Sequence, residues 1–149
     1  MDPADHIAVC DTVYGYAEAM DTRDWESYRS LFGEDLDIDY SSFHPDQIAV
    51  YRADDWVANV RGRLCRLDAT QHSMTNPRVR VRGDTAECRI QAQVQHVHTL
   101  GGTQATCLFG GRYRFALARR GEGWRIAGVR LTAGWTTGDT RVLDVARAD

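Results

Sequence analysis

The chain has 149 residues, 43% hydrophobic and 26% charged, and 18 Lys and Arg against 21 Asp and Glu give a net charge of −3. This length suits one domain, residues 1–149, with a core large enough to enclose a small cavity. No basic surplus points to nucleic acid, and the arginines are scattered rather than clustered. No apolar run is long enough to cross a bilayer and no signal-peptide pattern opens the chain, so a cytoplasmic protein without membrane contact is expected.

The first half reads as helical. Residues 4–21 place Cys10, Tyr14, Ala17 and Asp21 at i, i+4, i+7 and i+11, on one helix face. A carboxylate on that apolar side is costly unless it finds a partner. Asp24 is expected to cap a short helix, Trp25 to Phe32, that stops at Gly33. Leu36-Asp37-Ile38-Asp39-Tyr40 alternates as a strand, and Ala53-Asp54-Asp55-Trp56 opens a third helix with Trp56, Val57, Val60 and Leu64 inward. Tyr14 is expected in the core. The four cysteines form no C-x-x-C pair; Cys10, Cys88 and Cys107 sit among apolar neighbours and read as reduced core residues.

From Thr70 onward the pattern is long strands, punctuated by Gly83-Asp84, Gly101-Gly102 and Gly121-Glu122-Gly123, which signal hairpins. In the strand from Ala86, residues Ala86, Cys88, Ile90, Ala92, Val94, His96 and His98 share the apolar face. The next strand puts Cys107, Phe109, Gly111, Tyr113, Phe115 and Leu117 on one side. Pro77 breaks the phase between His72/Met74 and Val79/Val81, so a bulge or bend is expected there. Helices followed by an antiparallel meander predict an α+β domain, a strongly curved sheet whose concave face the helices close.

His72 is the key candidate. Held by an acidic partner, and Asp21 is one, a histidine is a ready general base near neutral pH. His96-x-His98 on one strand face also fits two metal ligands, with His72 or Asp21 as a third. The plainer readings are a strand-edge His72, a solvated Asp21 at a helix end, and packing roles for His98 and for Trp25, Trp56, Trp124 and Trp135. The tryptophans, enriched at interfaces in general, also point to a homo-oligomer, a trimer or dimer.

The pieces Ala17-x-x-x-Asp21-x-x-Asp24-Trp25, Ile38-Asp39-Tyr40, Thr70-Gln71-His72, His96 and Trp124-Arg125-Ile126-Ala127-Gly128 resemble, in order, the SnoaL-like branch of the NTF2-like superfamily, the scytalone dehydratases in particular. The resemblance implies a cone-shaped α+β barrel with a deep pocket between helices and sheet. It implies acid–base chemistry by Asp21 and His72, a second pocket histidine at His96, a pocket tyrosine at Tyr40, and no metal or other cofactor. It departs at Met20, where scytalone dehydratases carry a tyrosine, and at Gly111 and Tyr113, where they carry a serine and an asparagine. Tyr16 matches a tyrosine of related bile-acid dehydratases.

Together these readings predict a lyase of dehydratase type, or an isomerase, acting on a small cyclic hydroxy-ketone or polyketide-like molecule. Asp21, His72, His96 and Tyr40 would act in catalysis, and Tyr16, Met20, Asn76 and Tyr113 would bind substrate. The alternatives are a polyketide cyclase and a non-catalytic small-ligand-binding protein, since one fold hosts many functions.

Overall fold

In the computed structural model, which describes residues 2–43 and 45–147, four helices pack on a six-stranded sheet. The order along the chain is α1 (Pro3–Thr22), α2 (Trp25–Ser30), β1 (Phe32–Asp39), β2 (Ile48–Arg52), α3 (Ala53–Leu64), β3 (Ala69–Arg82), β4 (Thr85–Leu100), β5 (Thr103–Arg120), β6 (Gly123–Gly138) and α4 (Arg141–Arg147). Across the sheet it is β2-β1-β6-β5-β4-β3. β3 to β6 form the expected antiparallel meander. β1 lies parallel to β6, so the sheet is mixed, and it is open at β2 and β3 rather than closed as a barrel.

Local chemistry starts each element. Asp2 caps α1 by accepting from the Ala4 N–H at 2.9 Å, with Pro3 in the first turn. Asp24 caps α2 as expected, accepting from the Ser27 N–H at 3.0 Å. Between Leu100 and Thr103, Gly101 and Gly102 both take positive φ, the conformation a two-residue hairpin demands. Gly138 (φ 95°) turns the chain off β6 toward α4, and a Cβ there would meet the Thr106 carbonyl oxygen at 2.4 Å.

The concave face holds the core. Alternation on β4 and β5 buries Cys88, Ile90, Val94, Phe109, Tyr113 and Phe115. Onto them α1 lays a ridge of Val9, Val13, Tyr16 and Met20, at i, i+4, i+7 and i+11. This ridge stands one residue round from the face read in the sequence. Cys10, Ala17 and Asp21 lie on its flank, and α1 runs against β3 there. Tyr14, expected in the core, is 41% exposed because it falls on the far side of that flank.

Other expectations change as well. α2 ends at Ser30, and Phe32 and Gly33 begin β1, because the apolar Phe32 ring is buried and pairs in register with Ile126. β2 and α4 have no counterpart in the sequence reading. The break at Pro77 is a bulge: the β3–β4 register shifts between Thr75 and Arg78, with Asn76 at φ 57°. All four cysteines are free; Cys10, Cys88 and Cys107 are buried. Among the described residues no helix is long and apolar enough to cross a membrane.

Candidate active site

Asp21 sits in the last turn of α1, where the helix passes the start of β3. One carboxylate oxygen lies 2.7 Å from His72 Nδ1, and the other accepts the His72 backbone N–H at 2.6 Å. The Thr70 hydroxyl donates to the first oxygen at 3.0 Å. Thr70 and His72 are two apart on one strand, so period 2 points both at Asp21. Burial pushes the Asp21 carboxyl up, but the His72 bond and charge, the backbone N–H and Thr70 together outweigh it and hold its pKa below the usual value. An ionised Asp21 accepting from Nδ1 fixes the tautomer, leaving His72 Nε2 free of any hydrogen bond among the described residues.

His72 forms part of the wall of a cavity of about 90 Å³ between α1, α3, α4 and the sheet. Tyr16, Met20, Tyr40, His96 and Tyr113 line the same cavity, so the structure brings together seven of the eight predicted site residues, Asp21 standing directly behind His72. Asn76 is the exception. It is exposed at the β3 bulge, and its amide donates to Gln91 Oε1 at 3.3 Å, outside the cavity. The shift in phase at Pro77 is what carries it away.

The tyrosines form a connected group. The Tyr16 and Tyr40 hydroxyls hydrogen-bond to each other, and the Trp56 indole N–H donates to Tyr28 at 3.3 Å behind them. Burial raises the pKa of Tyr16, Tyr28, Tyr40 and Tyr113, and their close packing adds to the effect for the last three. All stay protonated at neutral pH and are available as donors.

The two histidines of the H-x-H differ. His96 lines the cavity and is buried, and its Nδ1 has no hydrogen-bond partner. Burial, then the neighbouring His72, lower its pKa to about 4; the nearby backbone of Cys107 and Val94 offsets this only in part, without giving Nδ1 a bond of good geometry. His98 lies outside the cavity lining. Its Nδ1 comes within 3.3 Å of Asp68 Oδ1 but is not aligned for a hydrogen bond. Among the described residues no three His, Cys, Asp or Glu side chains converge as a metal site.

Several lining residues escaped the sequence reading. Gln47 is buried, and its amide donates to Asn59 Oδ1 at 3.1 Å. Phe43, Arg63, Leu143, Ala146 and Arg147 complete the outer wall, and Arg147 donates to the Phe43 carbonyl at 3.1 Å and stacks on its ring. No periodicity marks these positions, because they come from a loop, a helix flank and a short terminal helix. Thr70 alone had a signal, its i, i+2 relation to His72.

The fold is shared widely. The Kfla4162 protein of Kribbella flavida superposes with a TM-score of 0.87 at 23% identity, over 97% of this chain and 98% of that one. A Novosphingobium aromaticivorans protein provisionally assigned as a scytalone dehydratase gives 0.79 at 20% identity, over 91% and 88%. A type 2 hexachlorocyclohexane dehydrochlorinase gives 0.73 at 19% identity, over 91% and 89%. No curated protein matches the sequence. The SnoaL-like domain profile matches residues 3–130. With that match the chain belongs to the SnoaL-like family, and its six-stranded curved sheet under N-terminal helices is the NTF2-like fold.

Proposed function

We propose that the protein is a lyase of dehydratase type, or an isomerase, that removes a proton α to a carbonyl of a small cyclic hydroxy-ketone. The observation that carries this reading is the 2.7 Å contact between Asp21 and His72 Nδ1 at the wall of a cavity holding the Tyr16, Tyr40 and Tyr113 hydroxyls. His72 Nε2 takes the proton, and Asp21 stabilises the imidazolium that forms. Tyr40, itself bonded to Tyr16, donates to the developing enolate oxygen. In an elimination, the electron pair then expels the β-hydroxyl, and His72 returns its proton so that water leaves. In an isomerisation it returns the proton to another carbon.

His96 is assigned a different role from a cationic acid. With its pKa near 4 it is neutral at pH 7, so it orients the leaving oxygen by hydrogen bonding rather than by charge. The chemistry needs only side chains of this chain. Solved structures named for loss of water or of hydrogen chloride share this fold at 20% and 19% identity, and the reaction type is proposed by likeness to them. A panel of cyclic β-hydroxy-ketones in deuterated buffer, followed by NMR, tests the reading. Wild type should exchange the α-proton above the buffer rate, and His72→Ala should not. Binding without exchange across the panel would favour a ligand-binding role.

A further inference from the structure

Arg23 stands at the C-cap of α1 with φ 61°, a left-handed conformation in which glycine is the usual residue. An arginine accepts that backbone cost only where its side chain gains something. Its guanidinium donates to the Met20 carbonyl at 2.5 Å, the Leu64 carbonyl at 3.1 Å and the Thr70 hydroxyl at 2.8 Å. The first two are carbonyls at the C-terminal ends of α1 and α3, where a cation is favoured. The third has no such explanation. Thr70 has a single hydroxyl proton, and accepting from Arg23 commits that proton to Asp21 Oδ1, 3.0 Å away.

We propose that Arg23 is a positioning residue which, through Thr70, fixes the Asp21 carboxylate and tunes the hydrogen bond it accepts from His72 Nδ1. The inference rests on the Asp21–His72 pair of the proposed mechanism. Arg23 makes no salt bridge with a carboxylate among the described residues, so Thr70 is its link to the nearest acid in the site. Asp21 thus accepts three hydrogen bonds, from Thr70, from the His72 backbone and from its ring, with a cation behind the first. That arrangement stabilises the carboxylate without a direct ion pair, and it draws charge away from the oxygen facing the imidazole. The other titratable groups facing the pair are His96 on β4 and the Tyr113 hydroxyl on β5. Both are neutral at pH 7; Arg63 on α3 and Arg147 on α4 are cations on the same cavity wall, and Arg23 is the cation hydrogen-bonded to the Thr70 hydroxyl that donates to Asp21.

The imidazole signals of the free protein, followed by NMR over pH, test this without any substrate. In Arg23→Met and in Thr70→Val the His72 ring signals should change over at higher pH than in wild type, because Asp21 loses a donor that competes with the imidazole, with Nδ1–H retained. The double variant should shift no further than the larger single, and Thr70→Ser should titrate as wild type. An arginine that merely braces two helix ends would lower the melting temperature and leave His72 unmoved. His72 titrating as in wild type in the folded variants overturns the proposal, and Thr70→Val decides it alone should Arg23→Met not fold. A protein that turns over no ketone leaves this measurement intact, so the two ideas fail separately.

Discussion

Among the described residues two aspartate–histidine pairs meet at this sheet, and they are built differently. Asp21 and His72 have side chains 19% and 6% exposed, meet at 2.7 Å, and are fixed further by Thr70 and a backbone N–H. Asp68 and His98 are 44% and 23% exposed and approach to 3.3 Å without alignment, while Asp68 spends its other oxygen on Thr99 at 2.8 Å. The two pairs contain the same residue types. What separates them is the surround: the first opens its free imidazole nitrogen to an apolar cavity with phenol donors, whereas the second flanks the turn before β3, outside that cavity. An acid beside a histidine becomes useful chemistry only where desolvation and a second polar group complete it.

The comparison breaks most sharply under substitution. His72→Ala should lower kcat by roughly 10²–10⁴-fold, the span for one positioned acid–base group. Asp21→Asn should fall close behind, and the double variant should be little worse than the worse single, because the pair acts as a unit. Turnover of a cyclic β-hydroxy-ketone, with circular dichroism to verify folding, checks this. Folded His72→Ala with wild-type turnover would make the two pairs equivalent and remove the base. Next in size is Tyr40→Phe, expected to reduce kcat by about 10²–10³-fold if its hydroxyl meets the enolate oxygen. A loss confined to KM would assign Tyr40 to binding alone.

His96 sharpens the contrast through pH. An unfolded histidine takes its proton near pH 6.5, whereas His96 in the fold does so only near pH 4. Between those values the unfolded chain binds the extra proton, so its contribution to stability is complete above pH 6.5 and drains as pH falls toward 4. The depressed value corresponds to about 3 kcal/mol, an order-of-magnitude figure for a buried group. Asp21 acts in a lower window: its pKa lies below 3.8, so its contribution is present above that value and is lost only on further acidification. Urea midpoints from pH 7 to 4 should fall more steeply in wild type than in His96→Gln. Equal slopes would mean that His96 titrates as an exposed histidine.

Much of this was legible in the residues themselves. Strict alternation along β4 put His96 on the inner face, and the glycines before β4, β5 and β6 placed the hairpins, because period 2 and positive φ are local demands. Asp21 and His72 were found because a carboxylate on an apolar helix flank requires a partner. β2 was invisible: Ile48 and Val50 are exposed and nothing alternates. α4 is seven residues long, and its burial of Val142 and Leu143 is set by Leu67 and Cys107, far away in sequence. The bulge at Pro77 is legible, but not that it begins at Asn76 and turns this side chain outward. Arg23 gave no signal, since its role depends on a left-handed backbone and on Thr70, 47 residues away.

The smallest effect belongs to the second pair, and it decides whether the contrast is real. An exposed, unaligned contact of this kind contributes about 0–1 kcal/mol, because water screens it and ordering the two side chains costs entropy. Asp68→Asn keeps the shape and the oxygen that accepts from Thr99, so its melting temperature should stay close to wild type. His98→Gln should do the same, as His98 Nδ1 has no hydrogen bond to lose. Neither lines the cavity, so turnover in both should match wild type while the corresponding changes at Asp21 and His72 abolish most of it. Parallel assays of Asp21→Asn and Asp68→Asn at one pH give the cleanest reading. A loss of turnover in Asp68→Asn without loss of fold would show that the outer pair takes part, and that burial was the wrong criterion for telling the two apart.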